Sequence, residues 1–367
     1  MTAQKIIIDC DPGIDDALAL VFAHGDPGLE VCGITTVAGN VGLDRTTANA
    51  LRVRDFIGMR DVPVIPGCAG PLLRPVLDAA RVHGASGLAG ARLPGPVSEP
   101  AAGHAVDYLI ETISAAPGEI TLIAVGPLTN IALAVRREPR LARRVRDFVI
   151  MGGSAGRGNV TPAAEFNIAA DPEAAAIVFG AGWTVTMVGL DATLRARATV
   201  AVRGRMRGLG PLADDLLLPC LAGYLSGDAG RPAPPAGPAA QRDSVAAGRA
   251  AARGERAAGG GAAGSAPVMD GEPEMLDEHE WPDGPGGPAV HDVCAVVRVA
   301  RPEIISCVPA RVQVETAGRL TAGMTVTDFA ASPGDRNALV ATGIDAAGFW
   351  DLVLDRYALV AAGMSGP

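Results

Sequence analysis

Lysine is all but absent from this sequence: Lys5 is the only one, and arginine supplies every other residue in a Lys+Arg total of 31. Together with the heavy load of alanine, glycine and proline, this bias points to a GC-rich genome rather than to nucleic-acid binding. Acidic residues outnumber basic ones, giving a net charge of -9. That balance argues against a nucleic acid or an anionic membrane surface as the main partner, and it fits a soluble protein handling a small, uncharged or cationic ligand. Aromatics make up only 4% of the chain, so the core must be built from Val, Ile, Leu and Ala. The six cysteines show no C-x-x-C spacing; several lie inside apolar runs, as reduced core cysteines do. Nothing resembles a signal peptide, because Met1–Lys5 leads straight into Ile6-Ile7-Ile8. No apolar run reaches transmembrane length. The expected setting is a reducing cytoplasm.

What is present is ample apolar material, 49% of residues with a mean hydropathy of +0.26, which excludes wholesale disorder. Short apolar runs alternate with amphipathic stretches. Strands are expected at Lys5–Asp9, Leu29–Val37, Glu119–Val125, Asp147–Met151 and Trp183–Val188. Helices are expected at Asp15–His24, Asp44–Ile57, His104–Ala115, Thr129–Arg136 and Pro172–Phe179. This pattern predicts an α/β fold: a Rossmann-like, mostly parallel sheet covered by helices on both faces. Ligands in such sheets bind at the carboxyl ends of the strands, near a switch in strand order. After a helical His291–Ala300, the segments Val308–Thr316, Arg319–Val326 and Ala338–Thr342 are expected to form a small antiparallel extension, closed by a helix at Ala347–Ala361. The chain reads as a single domain, 1–367, interrupted at about 227–288 by a low-complexity insertion rich in Ala, Gly, Pro and Arg. That insertion is expected to be a disordered excursion; a lid carrying Trp281 or a local frameshift are the alternatives.

The sharpest chemical signal is Asp9-Cys10-Asp11-Pro12-Gly13-Ile14-Asp15-Asp16, between the first strand and the first helix. Asp15 and Asp16 are good helix-capping residues taken alone. Four carboxylates in so short a stretch of a partly buried cleft would repel one another, however, and a hard divalent cation such as Ca²⁺ or Mg²⁺ is the natural remedy. The glycine-rich Gly152–Gly156 carries no following lysine, so it is not a phosphate-binding loop.

Asp9–Asp16 resembles the D-x-D-x-x-x-D-D signature of the inosine–uridine-preferring nucleoside hydrolases. Further matches follow in the family's order: Thr35–Asn40, His83–Gly87, Val125–Asn130, Gly152-Gly153, Asn159–Asn167 and His291-Asp292. The resemblance runs from about Lys5 to Asp191 and resumes at Val290. It implies hydrolysis of the N-glycosidic bond of purine or pyrimidine ribonucleosides, in a setting of nucleoside salvage, by a homo-oligomer (dimer or tetramer). It implies Ca²⁺ held by Asp11, Asp16, Asp292 and the Val125 carbonyl, with Asp11 taking a proton from the ion's water. Asp15, Asn40, Asn159, Glu165 and Asn167 would grip the ribose, with Asp9 supporting the other carboxylates. Phe166 would pack under the nucleoside or simply in the core. His291 sits where the family places the acid for the leaving base. His83 resembles a residue of members that accept inosine, uridine or cytidine. His24 reads as a structural residue at a helix end; His104 and His279 have no assignable role.

Two rivals remain open at this point. A haloacid-dehalogenase-like phosphatase also opens with D-x-D, but it wants Thr or Val where this chain has Gly13, and a later lysine. A nucleoside-binding protein that has lost catalysis would keep the same residues. The segment before His291 departs from the family: Leu216–Ser226, with Tyr224, keeps a base-side helix whose regular part Pro219 would confine to its later residues, and the insertion then intervenes before His291.

Overall fold

A computed structural model of the chain describes residues 3–77, 79–226 and 286–364. Nine strands form one sheet in the order β3-β2-β1-β4-β5-β6-β9-β7-β8. They are β1 (Gln4–Cys10), β2 (Leu29–Thr36), β3 (Val64–Pro66), β4 (Ile120–Ala124), β5 (Asp147–Met151), β6 (Val185–Val188), β7 (Ile305–Val314), β8 (Thr325–Asp328) and β9 (Ala338–Ile344). From β3 to β6 and on to β9 every pairing is parallel. β7 pairs antiparallel with both β9 and β8.

The apolar runs explain this arrangement. A strand buried on both faces shows no polar alternation, and β4 is buried at every position. Along β1 successive side chains point to opposite layers: Ile6 and Ile8 join one buried cluster and Ile7 the other. The first cluster gathers the helices Ile14–Gly25, Leu43–Phe56, Asp292–Ala300 and Ala346–Met364 on one face. The second gathers Ala105–Ala115, Thr129–Arg137 and Pro172–Phe179 on the other.

Three elements differ from expectation. β3 is too short, and too marked by Pro66, to announce itself; as an edge strand it tolerates the proline. In Arg319–Val326 only the end is strand, because Gly318 and Gly323 turn the chain and the Glu315 carboxylate accepts from Ala317 N and Gly318 N. β9, expected in the antiparallel extension, extends the parallel sheet on its β6 side and pairs antiparallel only with β7. The readings of 227–285 as disordered or as a lid, and His279 and Trp281 with them, lie outside the described residues.

The order β3-β2-β1-β4-β5-β6 reverses direction between β1 and β4. Chains leaving those two strands diverge to either side and open a crevice at the carboxyl ends. Asp9–Asp16 leaves β1 there, and Val125 leaves β4.

Candidate active site

Asp9, Asp11, Asp15, Asp16 and Asp292 are all buried at that crevice. The turn Pro12-Gly13 folds the chain so that Asp16 closes back on it. Asp16 Oδ1 accepts from Asp11 N at 3.1 Å, and Oδ2 accepts from Gly13 N at 2.9 Å and Asn40 Nδ2 at 3.1 Å. Asn40, from the loop after β2, also donates its backbone N–H to Asp11 Oδ2 at 2.6 Å. Two glycines give Asp11 its room. A Cβ on Gly39 would lie 2.1 Å from Asp11 Oδ2, and one on Gly126 2.5 Å from Oδ1.

Asp9 sits behind this turn, its Oδ1 accepting from Thr35 Oγ1 at 2.5 Å and Asn130 Nδ2 at 2.8 Å. Asp15 Oδ2 accepts the backbone N–H of His291 at 3.0 Å. The chain that delivers His291 is stapled on its way in: Ala198 N donates to Pro288 O and Val290 N to Ala196 O, at 2.8 and 3.0 Å. Gly287, at φ +63°, runs so close to Ala198 O that a Cβ would stand 2.0 Å from it. The His291 Nδ1 shares a 2.8 Å hydrogen bond with Thr193 Oγ1. His291 and Asp292 therefore meet the N-terminal carboxylates despite the long segment that precedes them.

Burial dominates the electrostatics. It pushes Asp15 up to about 8, Asp9 to about 7 and Asp16 to about 6, although hydrogen bonds to each pull the other way. Burial, then the charge of Asp16, raises both Asp11 and Asp292 well above the usual carboxylate range. Asp9 Oδ2, Asp11 Oδ1 and Asp15 Oδ1 are buried without a hydrogen-bond partner. Unpaired carboxylate oxygens in so dry a place are costly. They fit a hard cation, whose preferred donors are oxygens. Among the described residues, no group of three or more His, Cys, Asp or Glu side chains is arranged to hold a metal ion.

The loop after β5 supplies the opposite wall. The Glu165 carboxylate caps the short helix Phe166–Ala170, accepting from Asn167 N at 3.0 Å, Gly153 N at 2.9 Å and Ile168 N at 3.3 Å. Burial still raises it to about 7. Asn167 Nδ2 donates to Val125 O at 2.8 Å and Met151 O at 3.1 Å, which joins this wall to the end of β4. Asn159 is exposed, and its Oδ1 accepts from Phe166 N at 3.0 Å; it makes no hydrogen bond to the carboxylate cluster. Phe166 is half-buried.

His83 is buried on the near side. Its Nδ1 accepts from Ile14 N at 3.1 Å, so the neutral ring carries its hydrogen on Nε2. The ring meets Tyr224 edge to face, 5.8 Å between centroids. Tyr224 lies on the helix Leu218–Ser226, in whose first turn Pro219 falls. Burial holds both His83 and His291 down to about 4, with a smaller push from His291 on the former and from Arg197 on the latter. Both rings are neutral near pH 7 as the site stands. His24 lies in the last turn of its helix, and His104 caps one, its Nδ1 accepting from Val106 N at 3.2 Å.

Sequence reasoning named the carboxylates but gave no role to Thr35, Asn130 or Thr193. Thr35, a polar residue in the buried end of β2, was the one available signal; Asn130 and Thr193 lie on helices and carry none.

The sequence matches the family model of the inosine-uridine preferring nucleoside hydrolase over residues 6–351. It is 39% identical to the inosine-uridine preferring nucleoside hydrolase of Leishmania major over 355 residues, 96% of each chain. It is 36% identical to the pyrimidine-specific ribonucleoside hydrolase RihA of Citrobacter koseri, covering 98% of this chain and 100% of that one. Among solved structures, the purine-preferring ribonucleoside hydrolase from Gardnerella vaginalis superposes with a TM-score of 0.78 at 27% identity, covering 98% and 99% of the two chains.

Proposed function

The chain belongs to the inosine-uridine preferring nucleoside hydrolase family, which makes it an N-glycosyl hydrolase and sets the phosphatase alternative aside; from that premise we propose how its own residues act. The substrate is a ribonucleoside, the resident ion is Ca²⁺, and the products are ribose and the free base. The observation that carries the ion is Asp11 Oδ1, buried without a partner in a crowded carboxylate cluster at a strand-order switch; Asp9 and Asp15 add two further unpartnered oxygens to that cluster. Asp11, Asp16, Asp292 and the Val125 carbonyl would hold it. When bound, it supplies positive charge to a crowded carboxylate cluster and makes a neighbouring water easier to deprotonate.

Asp11 takes the proton of the attacking water. Its Oδ2 is fixed by Asn40 N while Oδ1 has no protein partner, so one oxygen is held and the other is available. Water oxygen bonds to C1′ as the C1′–N bond breaks, and the bonding pair leaves with the base. The sugar passes through an oxocarbenium-like state, which the surrounding carboxylates stabilise. Asp15, Asn40, Asn159, Glu165 and Asn167 hold the ribose. Asn167 spends its amide hydrogens on Val125 O and Met151 O, which leaves its Oδ1 to accept from a hydroxyl. The leaving nitrogen gains a proton as the bonding pair departs: His291 in its imidazolium form, its Nδ1 hydrogen-bonded to Thr193, gives it from the other ring nitrogen, and His83 with Tyr224 lines the base side. Purine and pyrimidine nucleosides are both candidates. A dimeric or tetrameric state and a cytoplasmic setting complete the proposal.

Purified protein incubated with inosine, uridine, cytidine and adenosine, with calcium or with a chelator, tests this through free ribose. Ribose release that the chelator stops is expected. Nucleoside binding without ribose from any of the four would instead favour a catalytically silent binder.

A further inference from the structure

Thr129 and Asn130 close the motif that begins at Val125, and neither takes part in the chemistry above. Asn130 is fully buried in the first turn of the helix that follows β4. Its amide is engaged in three directions: Nδ2 donates to Asp9 Oδ1 at 2.8 Å and to Thr36 O at 3.0 Å, while Oδ1 accepts from Cys68 N at 2.8 Å. These partners are the carboxyl ends of β1 and β2 and the loop leaving β3. One side chain thus ties three neighbouring strand ends from the far side of the switch point. Gly67 admits it, since a Cβ there would lie 2.2 Å from Asn130 Oδ1.

What hangs from those strand ends is the site itself. Asp11 follows Asp9 by two residues, and Asn40 follows Thr36 by four. Val37 N donates to Cys10 O and Ala38 N to Cys68 O, so the three loops are cross-linked just above Asn130. A fully satisfied buried amide in such a network has one arrangement, and any shift in it is felt by every partner.

We propose that Asn130 is a positioning residue, which acts through Asp9 Oδ1 to set the turn that carries Asp11 and so governs calcium affinity and turnover without touching substrate. The inference rests on the reading that Asp11 holds the ion and serves the water.

Asn130→Asp keeps the shape but sets acceptor against acceptor at Asp9 Oδ1 and Thr36 O. Adding Asp9→Asn restores a donor facing an acceptor across the Asp9 contact. Calcium affinity by titration calorimetry, kcat and melting temperature are read on the full-length protein in all four combinations. Asn130→Asp should weaken calcium at least tenfold and lower kcat by a similar factor. The double variant should regain at least about threefold of each loss while staying short of wild type, because the Thr36 O contact remains unmet, a double-mutant coupling. Packing alone would lower the melting temperature without that recovery. If Asn130→Asp does not fold, Asn130→Ala replaces it, and its loss of calcium affinity should not add to that of Asp9→Asn. Unchanged affinity in the single variant, no recovery in the double, additive losses, or no calcium binding by wild type would each overturn the inference. Ribose release by wild type judges the underlying function separately: a wild type that binds calcium and shows the coupling but releases no ribose would fail that reading and leave this one standing.

Discussion

Gly39→Ala isolates the demand for space around Asp11. The added Cβ would stand 2.1 Å from Asp11 Oδ2 and 2.8 Å from Pro127 Cδ, whereas ordinary contacts begin at 3.4 Å. Either the carboxylate or the loop must give by roughly an ångström, and that is enough to cost about a hundredfold in rate when a reacting group is misplaced. The same shift disturbs the 2.6 Å bond from Asn40 N to Asp11. Overpacking of this kind costs about 2 kcal/mol of stability. Gly42→Ala is the control, since three residues further on a Cβ would meet nothing within 4 Å. Steady-state kinetics and calorimetric melting would be run on both. The reasoning predicts kcat about a hundredfold down in Gly39→Ala and near wild type in Gly42→Ala. A Gly39→Ala enzyme within threefold of wild type would refute it.

Three further outcomes are expected. The calcium-stripped protein should lose stability as pH rises from 6.5 to 8.5. Asp9 and Asp15, raised to about 7 and about 8, keep their protons in the fold and release them on unfolding, so the folded state binds more protons there. The two histidines, lowered to about 4, act in the opposite sense only below their unfolded pKa near 6.5. A melting temperature that stays flat or climbs from pH 6.5 to 8.5 in chelator would contradict this. Thr193→Val removes the hydroxyl that shares a hydrogen bond with His291 Nδ1; a loss of about 1.4 kcal/mol, or tenfold in kcat, is expected with little change in KM. Asp26→Ala strips a buried carboxylate from Arg356 Nε and Gly28 N at the far end of the first helix. It should cost about 3 kcal/mol on denaturant titration while leaving kcat unchanged.

Much of the fold was legible because parallel strands buried on both faces are continuous apolar runs, as Lys5–Asp9 and Asp147–Met151 were. Proline-marked β3 carries no such run, and β9 reads as part of the extension because pairing partners are not written in a strand's own residues. The carboxylates were legible for a different reason: four like charges beside a strand end are improbable unless something binds them. Their supports were not. Asn130 lies 121 positions from Asp9 and Thr193 lies 98 from His291, so only the folded chain reveals that each orients a carboxylate or an imidazole. The approach to His291 was the part least readable from sequence, because the staple between Ala196–Ala198 and Pro288–Val290 is made by backbone groups that any residue carries.

The central claim is that Asp11 takes the proton of the water that attacks C1′. It is tested most directly by ribose release from inosine and uridine by Asp11→Ala, at saturating calcium, against wild type. The account predicts a fall in kcat of at least about a thousandfold. Turnover near the wild-type rate in Asp11→Ala would contradict it.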